Sequence, residues 1–313
     1  MQTTSTSLPV TSLLLAILVS AVWGFNFIMV KTGLEQLPPI TLCALRFFLS
    51  ACPALFFVPK PKTRFMYVLG YGLVTFALQF TLLFAGIAAG VAPGTAALLS
   101  QLQVFFAMFL AWLLLRQPVS IWHMAGASIA LAGIGILFAH HDNPFSLSGF
   151  FLIVLASLCW GLGNLISVKL KDVNMFSLIV WSSLIACVPL FILAFVLESP
   201  LPLLMHPGQL KGATLLALAY ITYASTYFGY SCWSWLLSRH SLASISPFAL
   251  LCPVVAMFSS ALILDEPLET WKLLSAFLVL AGLFVNSLGQ RFFISLLLRK
   301  QAVPANETNR LAL

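Results

Sequence analysis

The chain carries one short motif twice, as Trp23-Gly24-Phe25-Asn26 near its start and as Trp160-Gly161-Leu162-Gly163-Asn164 after its middle. A lysine follows each copy at the same distance, so that Lys31 and Lys169 are 138 positions apart, as are the two asparagines. Three further matches share a separation of 149 positions: Pro118 with Pro267, Trp122 with Trp271 and Gly133 with Gly282. Constant separations over this length indicate an internal duplication, so we expect two related halves.

The composition places this duplicated chain in a membrane. Of its 313 residues, 61% are hydrophobic and 7% are charged, whereas soluble domains contain about 25% charged residues. Too few polar side chains remain to cover a surface that faces water, so we expect an integral membrane protein. The net charge of +7 comes from basic residues scattered through short loops. No basic stripe is formed, and nucleic acid is not expected as a partner.

Apolar segments close to the ~20 residues that a helix needs to cross a bilayer occur at ten places. We therefore predict an all-α membrane protein with ten transmembrane helices, in contact with membrane lipid. The predicted spans are residues 10–30, 39–58, 66–88, 92–115, 121–139, 148–168, 175–197, 212–236, 243–264 and 271–290.

The distribution of Lys and Arg between the loops predicts the orientation. With a cytoplasmic N-terminus, eleven basic residues face the cytoplasm and three (Lys31, Lys211 and Lys272) face the other side, as the positive-inside rule requires. Both termini are then cytoplasmic. Five spans per half is an odd number, so the halves form two inverted five-helix repeats, an arrangement used by many transporters. The eleven are Lys60, Lys62, Arg64, Arg116, Lys169, Lys171, Arg239, Arg291, Arg299, Lys300 and Arg310.

The predicted organisation has five parts. They are a cytoplasmic N-terminal tail at 1–9, a first repeat at 10–139, a periplasmic linker at 140–147, a second repeat at 148–290 and a cytoplasmic C-terminal tail at 291–313. The N-terminal tail contains no Lys or Arg, so we expect an uncleaved first span rather than a signal peptide.

The sequence offers no catalytic, metal or cofactor motif. The six cysteines all lie in apolar stretches without a C-x-x-C spacing, which is typical of buried core residues. The run His140-His141-Asp142 lies in the predicted linker, where neighbouring residues seldom converge on one ion. We therefore expect neither an enzyme nor a metal site nor a cofactor.

Arg46 is the one charged residue clearly inside a predicted span. A charge at membrane depth is costly and marks a functional site by default. Two explanations stay open: Arg46 binds a substrate carboxylate through paired hydrogen bonds, or it snorkels to the interface or pairs with Glu35. All eight acidic residues lie at interfaces or in tails. This pattern argues against an exporter of organic cations and favours neutral or zwitterionic cargo.

Uncharged amides also lie at membrane depth in both halves. An unpaired amide in hydrocarbon is costly, so each must line a wet cavity or join two helices. Together with Arg46, we treat five as candidate substrate-binding residues: Asn26, Gln79, Gln101, Gln103 and Asn164.

Tryptophans and prolines near these amides are candidates for cavity walls or gates. Trp23 and Trp160 precede the two motif asparagines and are either cavity walls or anchors in the aromatic belt. Pro247 and Pro253 interrupt the ninth predicted span, as Pro93 interrupts the fourth. Helices broken at matching places in two repeats are typical of a substrate region.

These motifs resemble those of the EamA family in the drug/metabolite transporter superfamily, whose members have ten spans in two five-span repeats. The likeness covers nearly the whole chain. Two departures are Gln117, where the family's first repeat usually carries glutamate, and Val104, which aligns with Pro253 of the second half. A proton role for the first-repeat glutamate is therefore not expected. The matching residues are Trp23, Gly24, Asn26, Lys31, Arg46, Phe47, Gly133, Pro253, Val254, Glu266 and Gly282.

Within this family, stretches such as V-W-G-F-N-F, L-P-P-I-T-L-C-A-L-R-F, Q-L-Q-V-F-F, C-W-G-L-G-N and L-L-C-P-V-V-A are similar to those of exporters of O-acetylserine and cysteine. The resemblance implies a secondary transporter of the bacterial inner membrane that exports such small amino-acid metabolites as a monomer. Two alternatives stay open. One is an exporter of another solute class on the same fold, such as aromatic compounds or nucleotide sugars, and the other is a non-transporting membrane partner or receptor.

Overall fold

The computed structural model describes residues 9–139, 146–170, 173–201, 207–240 and 242–301, and within these ranges the chain is helical between short connections, with no β-strand. The all-α prediction is therefore confirmed. Residues 1–8 and 302–313 of the predicted tails and most of the predicted linker, including His140, His141 and Asp142, lie outside the described residues. The helical stretches, labelled in chain order, are α1 Val10–Gly33, α2 Pro39–Ala51, α3 Phe65–Ala88, α4 Pro93–Leu115, α5 Ile121–Ala139, α6 Leu147–Ser167, α7 Met175–Leu197, α8 212–239, α9 242–263 and α10 Thr270–Gln301.

Seven of these stretches, α1 to α7, are long and apolar enough to cross a membrane, α2 being continued by a 3₁₀ turn at Ala54–Phe56. The chain is therefore a multi-pass membrane protein. The apolar parts of α9 and α10 are shorter, at Pro247–Ile263 and Thr270–Asn286, and α8 is rich in tyrosine and tryptophan. A crossing by all ten helices thus stays a prediction. The helix α10 continues to Gln301, into the predicted C-terminal tail.

Helices of the first half pack chiefly on helices of the second half. The main pairs are α1 with α9 and its counterpart α4 with α6, then α1 with α8 and its counterpart α3 with α6. The helices α2 and α7 form a pair, as do α5 and α10. Each pairing recurs when the two halves are exchanged, so the two halves are related in their packing.

Small residues bring α5 and α10 into close contact. A Cβ atom added to Gly126 would lie 2.5 Å from the Gly282 carbonyl oxygen, and one added to Gly282 would lie equally close to the Gly126 oxygen. About two helical turns away, Ser275 Oγ donates to the Gly133 carbonyl at 2.7 Å. Such close backbone approach is the usual basis of helix association in lipid, where no hydrophobic driving force exists.

The glycines of the two W-G motifs serve equivalent crossings. A Cβ atom on Gly24 would lie 2.7 Å from Cβ of Val255 in α9, and one on Gly161 would lie 3.0 Å from Cβ of Phe106 in α4. Phe106 and Val255 are 149 positions apart. The separation of 149 positions found in the sequence therefore also relates residues that make equivalent contacts between helices.

Backbone irregularities also recur at matching places. The third helix of each half contains a π-helical segment, Gly72–Leu78 in α3 and Tyr220–Gly229 in α8. The short loops after α4 and α9 each hold a residue in the left-handed region, Arg116 with φ 53° and Asp265 with φ 52°, and these two are again 149 positions apart.

The fourth helix of each half changes geometry part-way. Gln101 separates Pro93–Ser100 from Leu102–Leu115 in α4, and α9 passes from a 3₁₀ turn at Ser246–Leu250 to an α-helix. The interruption in α4 therefore lies at Gln101 rather than at Pro93, which begins the helix. A proline is well accommodated at a helix start because the backbone N–H groups of the first turn have no acceptor within the helix.

A carboxylate from the second half holds the start of α2. The Glu198 side chain, just after α7, accepts hydrogen bonds from Ile40 N at 2.8 Å, from Thr41 N at 2.7 Å and from Thr41 Oγ1 at 2.7 Å. The N-terminus of a helix presents unpaired N–H groups that favour a negative charge. Glu198 thereby fixes the helix that carries Arg46.

Candidate functional site

A cavity lies between the two halves, at the middle of their helices. Its volume is about 120 Å³, whereas one buried water needs roughly 10–15 Å³, so a small solute or several waters can be held. The wall combines aromatic rings with amide and hydroxyl groups. It is lined by Trp23, Asn26, Phe27, Arg46, Gln79, Phe80, Leu83, Ala97, Ser100, Gln101, Gln103, Trp160, Ser225, Tyr230, Ala249 and Cys252.

The structure brings seven of the ten predicted site residues into this wall. They are Trp23, Asn26, Arg46, Gln79, Gln101, Gln103 and Trp160.

The other three predicted residues lie elsewhere. Asn164 is not in the wall, but its Nδ2 donates to Gln103 Oε1 at 2.5 Å and joins α6 to α4. Pro247 belongs to the 3₁₀ turn that follows the first residues of α9, Leu242–Ile245, and Pro253 lines a separate apolar groove with residues of α10. Neither proline lines the cavity, and their role as walls or gates stays a prediction.

Arg46 is the charged residue of the wall and is 1% exposed. Its Nη2 and Nε atoms donate to Thr226 Oγ1 at 3.0 and 3.3 Å, and its guanidinium carbon lies 4.2 Å from the ring centre of Phe80. Its Nη1 atom is buried without a hydrogen-bond partner. Within the described residues no carboxylate lies within ion-pair distance, so Arg46 neither snorkels nor pairs with Glu35 there.

The π-helical segment of α8 explains how Arg46 is held. Thr226 lies in that segment, and its Oγ1 donates to the carbonyl of Ile221 five residues earlier at 2.9 Å. The same oxygen keeps its lone pairs for Arg46. Segments of this kind occur often at functional sites, and the matching segment of α3 ends just before Gln79, which is 3% exposed.

Asn26 adds an unpaired hydrogen-bond acceptor, whereas Arg46 has an unpaired donor. Its side chain is 6% exposed and lines the cavity, and its Oδ1 atom is buried without a hydrogen-bond partner. A buried acceptor left in this way costs free energy. The cavity therefore offers one unpaired cationic donor and one unpaired neutral acceptor.

Trp23 is a cavity wall rather than an interface anchor. Its Nε1 donates to the Ser225 carbonyl of α8 at 3.1 Å. Its ring centre lies 5.6 Å from that of Tyr230 and 5.2 Å from that of Trp233. These contacts fix the indole against α8 at the side of the cavity, where it closes the space between the halves.

Several wall residues were not predicted, chiefly Ser225, Tyr230 and Cys252. The aromatic run of α8 was visible in the sequence, but the π-helical segment that turns it towards the cavity was not. Cys252 could have been found from the repeat itself, because it lies 149 positions after Gln103. In the part of the chain that the structure describes, no group of three His, Cys, Asp or Glu residues is arranged to hold a metal ion.

Comparison with known proteins agrees with this architecture. The chain is 35% identical over 284 residues to a "Probable amino-acid metabolite efflux pump" of Escherichia coli (strain K12), covering 89% of this chain and 95% of that protein. A protein of the same name from Salmonella typhimurium is 36% identical over 283 residues, covering 88% and 95%.

A solved structure titled "Crystal structure of protein" shares the fold, with a TM-score of 0.62, 16% identity and coverage of 91% of this chain and 99% of that one. The sequence profile of the EamA-like transporter family matches residues 10–139 and again residues 147–288. The resemblance seen in the motifs is thus confirmed, and the protein is a membrane transporter rather than an enzyme. The chain belongs to the EamA-like transporter family.

Proposed function

We propose that the protein exports small zwitterionic amino-acid metabolites, such as O-acetylserine and cysteine, across the bacterial inner membrane. One observation carries the proposal: Arg46, whose buried guanidinium has an unpaired Nη1 donor, lines a cavity whose described wall has no other charge. The names of the relatives from Escherichia coli and Salmonella typhimurium support the same class of cargo.

Arg46 supplies the chemistry for a carboxylate. A guanidinium in a dry site binds a carboxylate through short, charge-assisted hydrogen bonds. Thr226 and Phe80 orient the group, so that little side-chain entropy is lost when the substrate arrives. With no carboxylate among the described wall residues, an organic cation would find no counter-ion in the wall and would be repelled by Arg46.

The size of the cavity limits the cargo to small molecules. A volume of about 120 Å³ accommodates an amino acid with a short side chain, whereas a nucleotide sugar is far larger. The indoles of Trp23 and Trp160 and the ring of Tyr230 would cover the apolar part of such an amino acid, while Arg46 would bind its carboxylate.

The paired packing of the halves supports the route that we propose for the cargo. Ten crossings as two inverted repeats, with both termini in the cytoplasm, would put the cavity near the middle of the bilayer. Rocking of one half against the other would then expose the cavity to each side in turn. A single chain contains both halves, so we propose that the monomer transports.

Flux in proteoliposomes tests the proposal. Vesicles containing the purified protein should exchange labelled O-acetylserine or cysteine faster than protein-free vesicles, and unlabelled amino acids should compete. Repeating the measurement with and without a pH gradient distinguishes proton coupling from uniport. Saturable binding without flux would identify a receptor, and flux of an organic cation or a nucleotide sugar alone would exclude the proposed cargo.

A further inference from the structure

A second cavity lies at one end of the bundle and shares no lining residue with the cavity that holds Arg46. Its volume is about 430 Å³, whereas one buried water needs roughly 10–15 Å³. The wall is formed by residues 57–62, in the loop after α2, and by residues 173–177 at the start of α7. Both halves of the chain therefore contribute to it, at the end of the α2–α7 pair opposite Glu198.

Hydrogen bonds from α7 hold the loop in place. Ser177 Oγ donates to the Pro59 carbonyl, and Trp181 Nε1 donates to the Val58 carbonyl at 3.2 Å. Pro59 and Pro61 each restrict one backbone dihedral of the loop. The cavity is thus already formed, and little ordering of the loop is needed when a ligand binds.

Two lysines give this cavity a positive charge that no described carboxylate neutralises. Lys60 and Lys62 both line the cavity and are exposed, and Lys60 Nζ lies 5.3 Å from the ring centre of Trp181. Among the residues that the structure describes, the one ion pair joins Lys272 to Glu266. Both ammonium groups can therefore pair with an anion that comes from outside the chain.

The N-terminus of α7 does not supply this positive charge. It is capped within the chain, because the Asn174 side chain accepts a hydrogen bond from Ser177 N at 3.0 Å. The attraction of an anion to the cavity thus depends on the two lysines.

The edge of the cavity is apolar. Phe56 and Phe57 are 80% and 83% exposed, and Phe57 also lines the cavity. Removing such rings from water is favourable, and at the end of a span the acyl region of the bilayer can cover them. Lys60 and Lys62 lie on the predicted cytoplasmic side, where anionic lipids attract basic residues. The cavity therefore combines a cationic wall with an apolar edge.

We propose that this cavity binds the phosphate group of an anionic phospholipid through Lys60 and Lys62, with the acyl chains beside Phe56 and Phe57. The phosphate supplies the counter-ion that the described wall lacks. Free phosphate would use the same lysines but would leave both phenylalanine rings uncovered, so the lipid fits the whole site. The proposal concerns a site apart from the transport cavity and does not depend on the identity of the cargo.

Binding of fluorescently labelled phosphatidylglycerol to the full-length protein in detergent tests the proposal. The double variant Lys60→Gln/Lys62→Gln should raise the Kd by roughly 25-fold, about fivefold for each lysine. The variant Lys60→Arg/Lys62→Arg keeps both charges and should bind as the unsubstituted protein does.

A matched control removes two positive charges outside the wall described for this cavity. Arg116→Gln/Arg239→Gln changes the net charge equally, and Arg239 also lies over a tryptophan, with its guanidinium carbon 4.6 Å from the ring centre of Trp235. Because salt screens charges outside the cavity, this variant should change the Kd by no more than about twofold. An equal loss of affinity in both double variants would mean general attraction to positive charge and would overturn the proposal.

Competition distinguishes the lipid from its headgroup. Inorganic phosphate and glycerophosphoglycerol, which lacks the acyl chains, should displace the label at least about tenfold more weakly than unlabelled phosphatidylglycerol. Equal displacement by either would identify a site for free phosphate compounds, and equal affinity for phosphatidylcholine would show that the lysines do not select an anion. Either result overturns the proposal. Thermal unfolding checks each variant. If the Lys60→Gln/Lys62→Gln variant is unfolded, Lys62→Glu is measured instead, and an unchanged Kd would contradict the proposal.

Discussion

Replacing Arg46 by methionine should weaken binding of the cargo at least tenfold while leaving the fold intact. Methionine fills most of the volume of the arginine stem without its charge. The Thr226 hydroxyl keeps its bond to the Ile221 carbonyl at 2.9 Å, so the substitution orphans no buried hydroxyl. This combination of intact fold and lost transport distinguishes a binding residue from a structural one.

The structure gives the expected magnitude for stability. Arg46 gains roughly 1.5–3 kcal/mol from its hydrogen bonds to one shared acceptor, Thr226 Oγ1, and about 2 kcal/mol from the face of Phe80. Against these stands a desolvation cost of several kcal/mol for a buried charge without a counter-ion. Because the two sides nearly cancel, Arg46→Met should change the free energy of unfolding by no more than about 2 kcal/mol in either direction.

The effect on transport should be much larger. Loss of a charge-assisted contact of about 1.5–3 kcal/mol weakens apparent affinity by roughly 10- to 150-fold. The assay is counterflow of labelled O-acetylserine in proteoliposomes, alongside thermal unfolding of the purified variant in detergent. Arg46→Lys is the matched control, since it keeps the charge but loses the planar fork, and its affinity should fall between those of the other two proteins.

Two results would refute this reasoning. If Arg46→Met transports with the affinity of the unsubstituted protein, the guanidinium does not bind the cargo. If the variant unfolds on extraction from the membrane, Arg46 serves the fold, and the unpaired Nη1 atom is not a substrate donor.

Three further experiments test the packing around the site. Gly126→Ala puts a methyl group 2.5 Å from a carbonyl oxygen of α10 and should destabilise the protein by about 1–3 kcal/mol. Gly135→Ala is the control: its methyl group would meet no atom within 4 Å, so the thermal midpoint should not fall. Glu198→Ala removes the acceptor of three hydrogen bonds at the start of α2 and should lower the free energy of unfolding by about 2 kcal/mol or more. An unchanged thermal midpoint would mean that these hydrogen bonds do not stabilise the protein. A double-mutant cycle with Gln103→Leu and Asn164→Leu should give a coupling energy of about 0.6–1.7 kcal/mol, and additive effects would show that the bridge contributes nothing.

Much of the helical layout could be predicted because apolar length and loop charges are local properties of the sequence. The duplication added more, since the two W-G motifs relate Gly24 to Gly161 and the separation of 149 positions relates Phe106 to Val255 before any helix is placed. Amides at membrane depth had to be satisfied or face a cavity, and this requirement drew attention to Asn26 and Gln79, which line the cavity.

What could not be predicted depends on helix phase and on partners distant in the chain. A π-helical segment adds a residue to a turn and rotates everything after it, so the direction of Tyr230 or Thr226 does not follow from α-helical periodicity. The partner of Arg46 is 180 residues away, and no local pattern marks it. The interruption of α4 was expected at Pro93, but proline is accommodated at a helix start.

We propose that a carboxylate substrate binds between the two halves against Arg46. The most direct measurement is a structure of the protein determined with O-acetylserine bound. We predict the molecule in the cavity lined by Asn26 and Gln79, with a carboxylate oxygen about 2.7–2.9 Å from Arg46 Nη1. A bound molecule outside this cavity, or one whose carboxylate points away from Arg46, would contradict the account.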